Sequence, residues 1–301
     1  MRNRLNALRA AALQGELAAH AGLAYDRLAP ITPGEGKVAD TVATEWLRAF
    51  EDLGAPTGYA RAFERWKRSF TSEGDLCVEV ELTARLLIGH GNPSGHEVGL
   101  SLHHTWGVPV IPGSALKGLL NHYVDVVYGP SGERINPNDP TLAGEPKARA
   151  PYQGVTWGGT RIAHGPGEVH RALFGAPPAD DDAHESWSAV SGPTQGAVTF
   201  HDAWWEPRGS REVLPLAADV LTVHQKPYYD THGAAKNAPN DHESPIPVAF
   251  LTVKPGARFL VALSGEAGWT AFASDLLLEA LELWGVGAKT AAGYGRARRG
   301  V

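Results

Sequence analysis

The feature that most constrains the fold is a glycine-rich segment near the end of the chain. An apolar helical pattern is followed by Gly285-Val286-Gly287-Ala288-Lys289-Thr290-Ala291-Ala292-Gly293-Tyr294-Gly295-Arg296. Glycine permits positive φ and lets another group approach the backbone closely. A run of free N–H groups beside a lysine suits a phosphate. The segment therefore predicts either a phosphate-binding loop or a helix-to-strand connection that has no ligand.

This segment does not match the two common nucleotide-binding motifs. A Walker A loop reads Gly-x-x-x-x-Gly-Lys-Ser/Thr and joins a strand to a helix. Here Ala288 precedes the lysine, Leu283 stands at the first glycine position, and a helix comes before the loop. The dinucleotide-binding fingerprint fails because Thr290 stands where its third glycine belongs. These differences argue against mononucleotide and dinucleotide binding.

The composition predicts a folded protein of one elaborated domain or two ordinary ones. The 301 residues are 43% apolar and 8% aromatic, which is enough for a sizeable core. The single cysteine, Cys77, excludes an intrachain disulfide, and its strand-like surroundings predict a packed, inert thiol. No apolar run approaches the ~20 residues of a membrane span, and the N-terminus lacks a secretory signal. We expect a cytoplasmic protein with no membrane contact.

The charge distribution argues against nonspecific RNA binding but is compatible with binding in a local basic groove. A net charge of −6 argues against nonspecific binding, which depends on many phosphate contacts. Positive charge is nevertheless concentrated near the end, because residues 281–301 contain four basic residues and one acid, so 4 − 1 = +3. Segregated charge of this kind indicates a local basic groove.

Residues 1–70 are predicted to form an N-terminal helical extension. Apolar residues recur there at helical spacing, at Val38, Val42, Trp46, Phe50 and Leu53, and again at Tyr59, Phe63, Trp66 and Phe70. Along the second stretch Arg61, Arg65 and Arg68 share another face, which we call the arginine strip. The strip is either a solvated helix face or a docking surface for RNA or an acidic partner.

Residues 71–301 show the element order of an α+β domain. Strand-like alternation begins at Leu76 and continues toward Ile88, and a helix with Ser114 as a favourable N-cap extends to Val127. Further strands are predicted at 197–202, 248–253, 257–264 and 291–298, with a helix at 269–283. When the insertions are omitted, we interpret the order as βαββαβ, which is that of the ferredoxin-like, RRM-like fold.

Two long insertions interrupt this predicted core. Residues 129–195 contain 19 Gly and Pro among 67 residues, a share that suggests partly mobile structure, apart from a short helix at 168–174. Residues 206–247 are predicted to be irregular. The aromatic signature of RNA-recognition modules is missing, so an RNA would contact loops and helix ends rather than stack on the sheet.

Two motifs together resemble a known superfamily. Ile111-Pro112-Gly113-Ser114-Ala115-Leu116-Lys117-Gly118 opens the first helix of the predicted core, and Gly285-x-Gly287-x5-Gly293-x-Gly295 precedes the last strand. Their combination is similar to the RAMP superfamily, the ferredoxin-like RNA-binding subunits of CRISPR systems. The segments at 173–175 and 196–202 also resemble RAMP turn and strand signatures.

Other segments resemble one family within that superfamily. Leu100-Ser101-Leu102-His103-His104-Thr105-Trp106-Gly107, the segment 228–250, and Gly287-Ala288-Lys289-Thr290 are similar to the sixth-subunit family of type III-B (Cmr) CRISPR effectors. The resemblance covers about residues 76–298, and the N-terminal helices fit by position only.

The resemblance implies a noncatalytic subunit that caps the 3′ side of a crRNA-bound filament used in antiviral defence. Its partners would be crRNA and target RNA, the backbone RAMP, the small subunit and a neighbouring capping RAMP. Cleavage by the backbone subunit relies on an aspartate in the loop after the first strand. The matching loop here, Gly89-His90-Gly91-Asn92-Pro93, contains no acid, which argues against cleavage by this chain.

The chemistry of both motifs predicts contact with RNA phosphates. Gly113 and Ser114 would present free N–H groups at a helix N-terminus, with Lys117 one turn later. Lys289 and Thr290 would add contacts, and we expect both turns to converge on one sugar-phosphate strand without reading its bases. The predicted RNA-binding residues are His103, His104, Gly113, Ser114, Lys117, Gly287, Lys289, Thr290, Gly293, Tyr294, Gly295 and Arg296.

The thirteen histidines do not predict a metal site. The sequence contains no His-Glu-x-x-His, and one cysteine cannot build a thiolate zinc site. We therefore expect no metal or other cofactor, and we expect His103 and His104 to pack or to contact RNA.

Several alternatives stay open at the level of the sequence. Asp202 is either a general base or metal ligand, or it ends a strand through local hydrogen bonds. Tyr228 and Tyr229 either stack on a base or pack against an insertion. The rival functions are a RAMP endoribonuclease that processes precursor crRNA with a histidine acid or base, and a protein-interaction cap that uses the arginine strip without touching RNA.

Overall fold

The computed structural model describes residues 20–29, 40–92, 96, 98–128, 156–157, 160–161, 168–176, 194–208, 212–223, 228 and 246–300. The described helices are α1 (Ala21–Arg27), α2 (Asp40–Arg48), α3 (Tyr59–Lys67), α4 (Gly113–Tyr128), α5 (Glu168–Phe174) and α6 (Ala267–Leu283). Two 3₁₀ turns, Ala49–Asp52 and Thr290–Ala292, extend α2 and interrupt the glycine-rich segment. No described helix is both long enough and apolar enough to cross a bilayer.

The described strands alternate with these helices and confirm the α+β class. They are β1 (Leu76–Leu82), β2 (Val110–Ile111), β3 (Thr156–Trp157), β4 (Thr160–Arg161), β5 (Gly175–Ala176), β6 (Thr194–Gln195), β7 (Val198–Phe200), β8 (Ala203–Trp205), β9 (Leu216–Val223), β10 (Ile246–Val253), β11 (Arg258–Gly265) and β12 (Ala297–Arg299).

The main sheet has the strand order β12-β1-β11-β8-β2, and β7 pairs with β11 beside β8. All its pairings are antiparallel, with Val80 opposite both Phe259 and Arg299. β7 and β8 are two halves of one bent strand, because residues 201 and 202 separate them while both lie along β11. β9 and β10 form a separate two-stranded hairpin.

The main sheet is covered on both faces. Val78, Val80 and Leu82 alternate along β1 as buried residues, and α6 packs beside them against β1, β11, β12 and α4. On the opposite face, α3 lies over the sheet. There the Trp66 ring stacks on Trp204 with 4.8 Å between centroids. A helix therefore already covers an aromatic ring of the face on which RNA-recognition modules stack bases.

The described helices of the N-terminal region share one hydrophobic core with the sheet. Tyr25, Trp46 and Phe63 belong to the same buried cluster as Val80 and Phe259. Residues 1–19 and 30–39 of the predicted helical extension lie outside the described residues.

Several predicted boundaries were wrong. β1 ends at Leu82, and Leu86–Ile88 are buried by later segments rather than continuing the strand, since Leu86 pairs with Val253. The last strand covers Ala297–Arg299 only, because the glycine-rich segment turns until Arg296. The stretch 206–247, predicted to be irregular, contains the whole of β9, whose pairing partner β10 lies beyond the polar run that suggested a loop.

Two smaller predictions have different outcomes. The helix predicted at 168–174 inside the first insertion is confirmed, while most of 129–195 lies outside the described residues. The prediction of a packed Cys77 thiol was wrong, because this side chain is exposed. It points to the same side of β1 as Glu79, where α3 covers the sheet incompletely. Nearby atoms still raise the pKa of the Cys77 thiol by desolvation, which disfavours the reactive thiolate.

Candidate functional site: a glycine loop and the start of α4

Residues 285–296, here called the glycine loop, turn through a series of left-handed backbone conformations. Gly285, Gly287, Gly293 and Gly295 all have positive φ. A Cβ on Gly287 would lie 2.4 Å from the Leu87 carbonyl oxygen, and one on Gly295 would lie 1.9 Å from that of Val286. Glycine is therefore required where the chain crosses itself, and the approaching group is protein backbone.

Hydrogen bonds hold the glycine loop against the segment that follows β1. The N–H of Ala288 donates to the Leu87 carbonyl at 2.8 Å, and the N–H of Gly295 donates to the Arg85 carbonyl at 2.7 Å. Within the loop, Val286 donates to Gly295 at 2.9 Å. The loop is consequently a braced turn with a defined shape.

At the tip of this loop, three consecutive backbone amides lack an acceptor among the described residues. Lys289 is left-handed, with φ 60° and ψ 29°, and the 3₁₀ turn begins directly after it. The N–H groups of Lys289, Thr290 and Ala291 have no acceptor among the described residues, whereas those of Ala292 and Gly293 donate back into the turn. A left-handed residue followed by a helical one makes a backbone nest, a concavity that binds anions.

The side chains nearest this nest favour the binding of an anion, because they include a positive charge that no described residue pairs. Lys289 and Thr290 are half-buried, and the Lys289 ammonium has no hydrogen bond or ion pair with a described residue. A Cβ on Gly293 would meet open space, so the nest is accessible on that side. The loop can therefore offer three N–H donors and a lysine to one phosphate.

Two predicted contact residues of the loop are instead used inside the protein. The Tyr294 hydroxyl donates to Asp219 Oδ2 on β9 at 2.7 Å, and Arg85 lies 3.4 Å from the same carboxylate oxygen. Burial, followed by this hydrogen bond and the Asp219 charge, raises the pKa of Tyr294 to about 12. Arg296 donates to the Glu282 carbonyl at 2.9 Å and so caps the end of α6.

The start of α4 is not the open anion site that the sequence predicted. α4 begins at Gly113 rather than after a Ser114 cap, and the Gly113 N–H donates to Asp202 Oδ1 at 2.8 Å. The N–H groups of Ala115 and Leu116 donate to the Pro112 carbonyl. Asp202 thus places a carboxylate where a phosphate would bind, and like charges repel. Ser114 is exposed, but the free Gly113 N–H predicted beside it is occupied by Asp202.

Lys117 is also engaged within the protein. Its ammonium donates to the Phe174 carbonyl at 3.1 Å, which satisfies an orphan carbonyl at the end of α5. Lys117 therefore fastens α5 to α4, and its contact with a phosphate stays a prediction.

His103 and His104 lie in the turn before β2. The His103 ring packs edge-on against Trp204 with 4.5 Å between centroids, and its Nδ1 accepts the Thr105 N–H at 3.1 Å. Desolvation lowers the pKa of His103 despite the opposing charge of Asp202. His103 therefore uses Nδ1 as an acceptor, and its ring packs against Trp204. His104 is exposed, and its carbonyl accepts a hydrogen bond from His20 Nε2.

The structure does not bring the two predicted turns together. α4 begins next to β2, whereas the glycine loop leads into β12, at the other edge of the sheet. Four strand spacings separate these edges, or roughly 20 Å. The glycine loop instead adjoins the later part of α4, where the Tyr123 and Trp284 rings are 5.1 Å apart. The expectation that both turns grip one phosphate is therefore not met.

Sequence reasoning missed the residues that organise this region. Asp219 and Arg85 link the hairpin β9–β10 to the glycine loop, and neither stood out in the sequence. The only available signal was their charge within apolar, strand-like runs. Tyr228 is half-buried, and Tyr229 lies outside the described residues. Within the described ranges, no cluster of three His, Cys, Asp or Glu residues could hold a metal ion.

Comparisons with known proteins point to one family. Residues 79–298 match the model of the RAMP superfamily. The CRISPR system Cmr subunit Cmr6 of Pyrococcus furiosus is 30% identical over 260 residues, which cover 78% of this chain and 73% of that protein.

Solved structures also resemble this chain. A chain from the cryo-EM structure of the type III-B Cmr-beta bound to cognate target RNA has a TM-score of 0.53 and 19% identity, and the match covers 86% of this chain and 70% of that chain. This likeness shows a shared fold. The crystal structure of Cmr6 from Pyrococcus furiosus has a TM-score of 0.40 and 25% identity, covering 75% of this chain and 98% of that chain.

Proposed function

Because the chain belongs to the RAMP superfamily, we propose that it is a noncatalytic, crRNA-binding subunit that caps the 3′ side of the guide in a type III-B CRISPR effector. Its relative from Pyrococcus furiosus is named as a Cmr subunit, and the match covers most of both proteins. This likeness supports membership of an RNA-targeting CRISPR complex. The position at the 3′ side of the guide and the contact with crRNA are the parts that we propose.

The same proposal includes a ferredoxin-like core. β1, α4, the bent strand β7–β8, β11, α6 and β12 follow one another in the βαββαβ order. In the sheet these strands lie in the order β12, β1, β11 and then β7–β8. β2 is then an additional edge strand, and the hairpin β9–β10 is an insertion between the second and third core strands.

The observation that carries the RNA contact is the backbone nest at Lys289, Thr290 and Ala291. Three N–H donors without acceptors among the described residues, beside a lysine, suit one phosphate of any sequence. A subunit that holds guides of many sequences needs contacts of this kind, since base pairing carries the sequence information. The RNA contact proposed from the structure therefore includes fewer residues than the sequence predicted.

The absence of an acid from residues 89–93, the segment that matches the cleavage loop of the backbone subunit, supports a noncatalytic role. Residues 89–93 read Gly-His-Gly-Asn-Pro, and His103 holds its ring against Trp204 while its Nδ1 accepts a backbone N–H. We expect the purified chain to leave repeat-containing RNA intact. Specific cleavage that disappears in His103→Ala would contradict this proposal.

The partners in this proposal are crRNA, target RNA, the backbone RAMP, the small subunit and a neighbouring capping RAMP. We propose that the chain lies at the end of the filament. Crosslinking from the guide's 3′ side within an assembled complex tests that position. Crosslinks found only to the 5′ side would contradict it.

The RNA contact is tested by replacing Lys289. Lys289→Gly removes the ammonium and also relieves the left-handed strain of a residue that carries a side chain. We expect crRNA affinity to fall by about tenfold, the loss of one charge-assisted contact, without any fall in the melting temperature. Filter binding with two guides of unrelated sequence measures the affinity.

The matched control is Lys254→Ala, which removes a half-buried lysine from the turn between β10 and β11. This variant should bind both guides as the wild type does. Equal affinity of the wild type and Lys289→Gly would show that the Lys289 ammonium does not contact the guide.

A further inference from the structure

The outer face of α3 carries a strip of arginines that the glycine loop does not explain. Arg61, Arg65 and Arg68 are exposed, while Tyr59 and Phe63 on the opposite side are buried at 0% and 2% exposure. The arginine strip predicted from the sequence is therefore a real surface, and the helix that carries it is anchored along its whole length.

The anchoring gives the strip a fixed geometry. The Tyr59 hydroxyl donates to the Trp205 carbonyl, and Trp66 stacks on Trp204 within 3° of parallel. The ammonium of Lys67 lies 3.3 Å from Glu79 Oε1. Both ends of α3 are thus attached to the sheet, so the guanidinium groups project from a rigid support.

The positive charge of this face is largely unneutralised. Arg68 lies 4.0 Å from Glu64, but their side chains are 82% and 55% exposed, and such a surface pair contributes little. Arg61 and Arg65 form no ion pair with a described residue. Because Lys67 pairs with Glu79 on the sheet, the outer face carries three arginines and Glu64, 3 − 1 = +2, in a chain of net charge −6.

The chemistry of the face distinguishes between two kinds of partner. Protein interfaces have an apolar, often aromatic centre, in which arginine is enriched but the other charged residues are depleted. The outer face of α3 presents Arg61, Glu64, Arg65 and Arg68, and no apolar side chain. Nucleic-acid interfaces are polar and strongly positive, and guanidinium groups match phosphate oxygens with two parallel hydrogen bonds.

We propose that the arginine strip binds the phosphates of a single-stranded RNA segment, as a second RNA contact apart from the glycine loop. The three arginines span seven residues of helix, or about 10.5 Å along its axis, which suits consecutive phosphates. The strip lies on the face of the sheet opposite α6, the helix that leads into the glycine loop. It also precedes residues 79–298, the part that matches the superfamily. This inference rests on the proposed RNA-binding function.

The test is the salt dependence of RNA binding by the full chain. The double variant Arg61→Ala/Arg65→Ala removes the two unpaired guanidinium groups. For single strands, each phosphate contact contributes about 0.7 to the slope of log K against log salt concentration. We expect the slope to decrease by about 1.4 and the affinity for a labelled, unstructured RNA to fall by about tenfold at low salt.

Two further variants separate the strip from general electrostatics. Arg27→Ala/Arg48→Ala removes the same charge from exposed positions on α1 and α2, and it should leave the slope unchanged. Arg61→Lys/Arg65→Lys keeps the charge and should retain the wild-type slope. Circular dichroism melting checks that all variants are folded.

The possible outcomes distinguish this inference from the function on which it rests. If the wild type binds RNA and Arg61→Ala/Arg65→Ala binds with the same slope, the strip does not contact RNA and is left to an acidic protein partner. An equal loss of slope in both alanine pairs would also overturn the inference. Failure of the wild-type chain to bind RNA would overturn the proposed function itself.

Discussion

Lys289 adopts a conformation that side-chain-bearing residues rarely adopt. Its φ of 60° is the only positive value at a non-glycine position among the described residues. For an L-residue this conformation costs roughly 1–2 kcal/mol, and Gly or Asn would be expected there. Unusual backbone conformations are concentrated at functional sites, and here the conformation opens the nest that Lys289 flanks. This agrees with the proposed phosphate contact.

Two glycines of the same loop should respond differently to alanine. Gly293→Ala adds a Cβ to open space, so its only cost is the strain of an alanine at a φ of 90°. Gly295→Ala would also place the Cβ 1.9 Å from the Val286 carbonyl oxygen. We expect a loss of about 1 kcal/mol in the free energy of unfolding for Gly293→Ala and several times that for Gly295→Ala. Urea denaturation measures both, and equal losses would contradict the described crossing.

Among the elements, α4 shows how a helix end can be satisfied by a distant residue. Asp202 reaches Gly113 across 89 residues of sequence, from the bend between β7 and β8. The apolar spacing of α4 predicted its existence and length, since that spacing is a local property. The identity of its cap depended on the neighbouring strand, so Ser114 was chosen wrongly from the sequence.

Removing the Asp202 cap should weaken this helix end. Asp202→Ala is expected to lower the free energy of unfolding by about 0.5–2 kcal/mol, the usual contribution of an N-cap, and Asp202→Asn should retain most of it. Asp275→Ala on the exposed side of α6 is the matched control and should change little. Chemical denaturation compares the three variants, and an Asp202→Ala protein as stable as the control would contradict the capping role.

At the scale of the whole molecule, the described N-terminal helices and the sheet form one body. The sequence predicted a helical extension at 1–70 and a domain at 71–301, and Tyr25, Phe50 and Tyr59 of the extension share a buried cluster with Phe259 and Leu281. Apolar surface buried between two segments links their unfolding. We therefore expect both segments to unfold together.

Tyr59→Phe tests this cooperativity. The substitution leaves the buried Trp205 carbonyl without its side-chain donor and should lower the free energy of unfolding by about 1–3 kcal/mol. Far- and near-ultraviolet circular dichroism should show one shared transition in both proteins, shifted in the variant. Separate transitions, with only the first one shifted, would indicate an independent N-terminal unit.

The sequence by itself determined the features that depend on neighbouring residues. Apolar spacing of 3.6 residues predicted α3, α4 and α6 closely. Positive φ was correctly anticipated where glycines recur at 285, 287, 293 and 295, because the preference belongs to the residue type. The paired motifs also identified the superfamily, which the match over residues 79–298 shows.

Only the tertiary structure decided which polar groups are occupied. The Gly113 amide donates to Asp202, and Lys117 donates to the Phe174 carbonyl across 57 residues. Arg296 donates to the Glu282 carbonyl. Likewise, sheet order alone placed α4's start and the glycine loop at opposite edges. A motif specifies which donors and charges a segment carries. Whether these donors and charges bind a ligand or another part of the protein depends on contacts between residues far apart in sequence. No local pattern encodes those contacts.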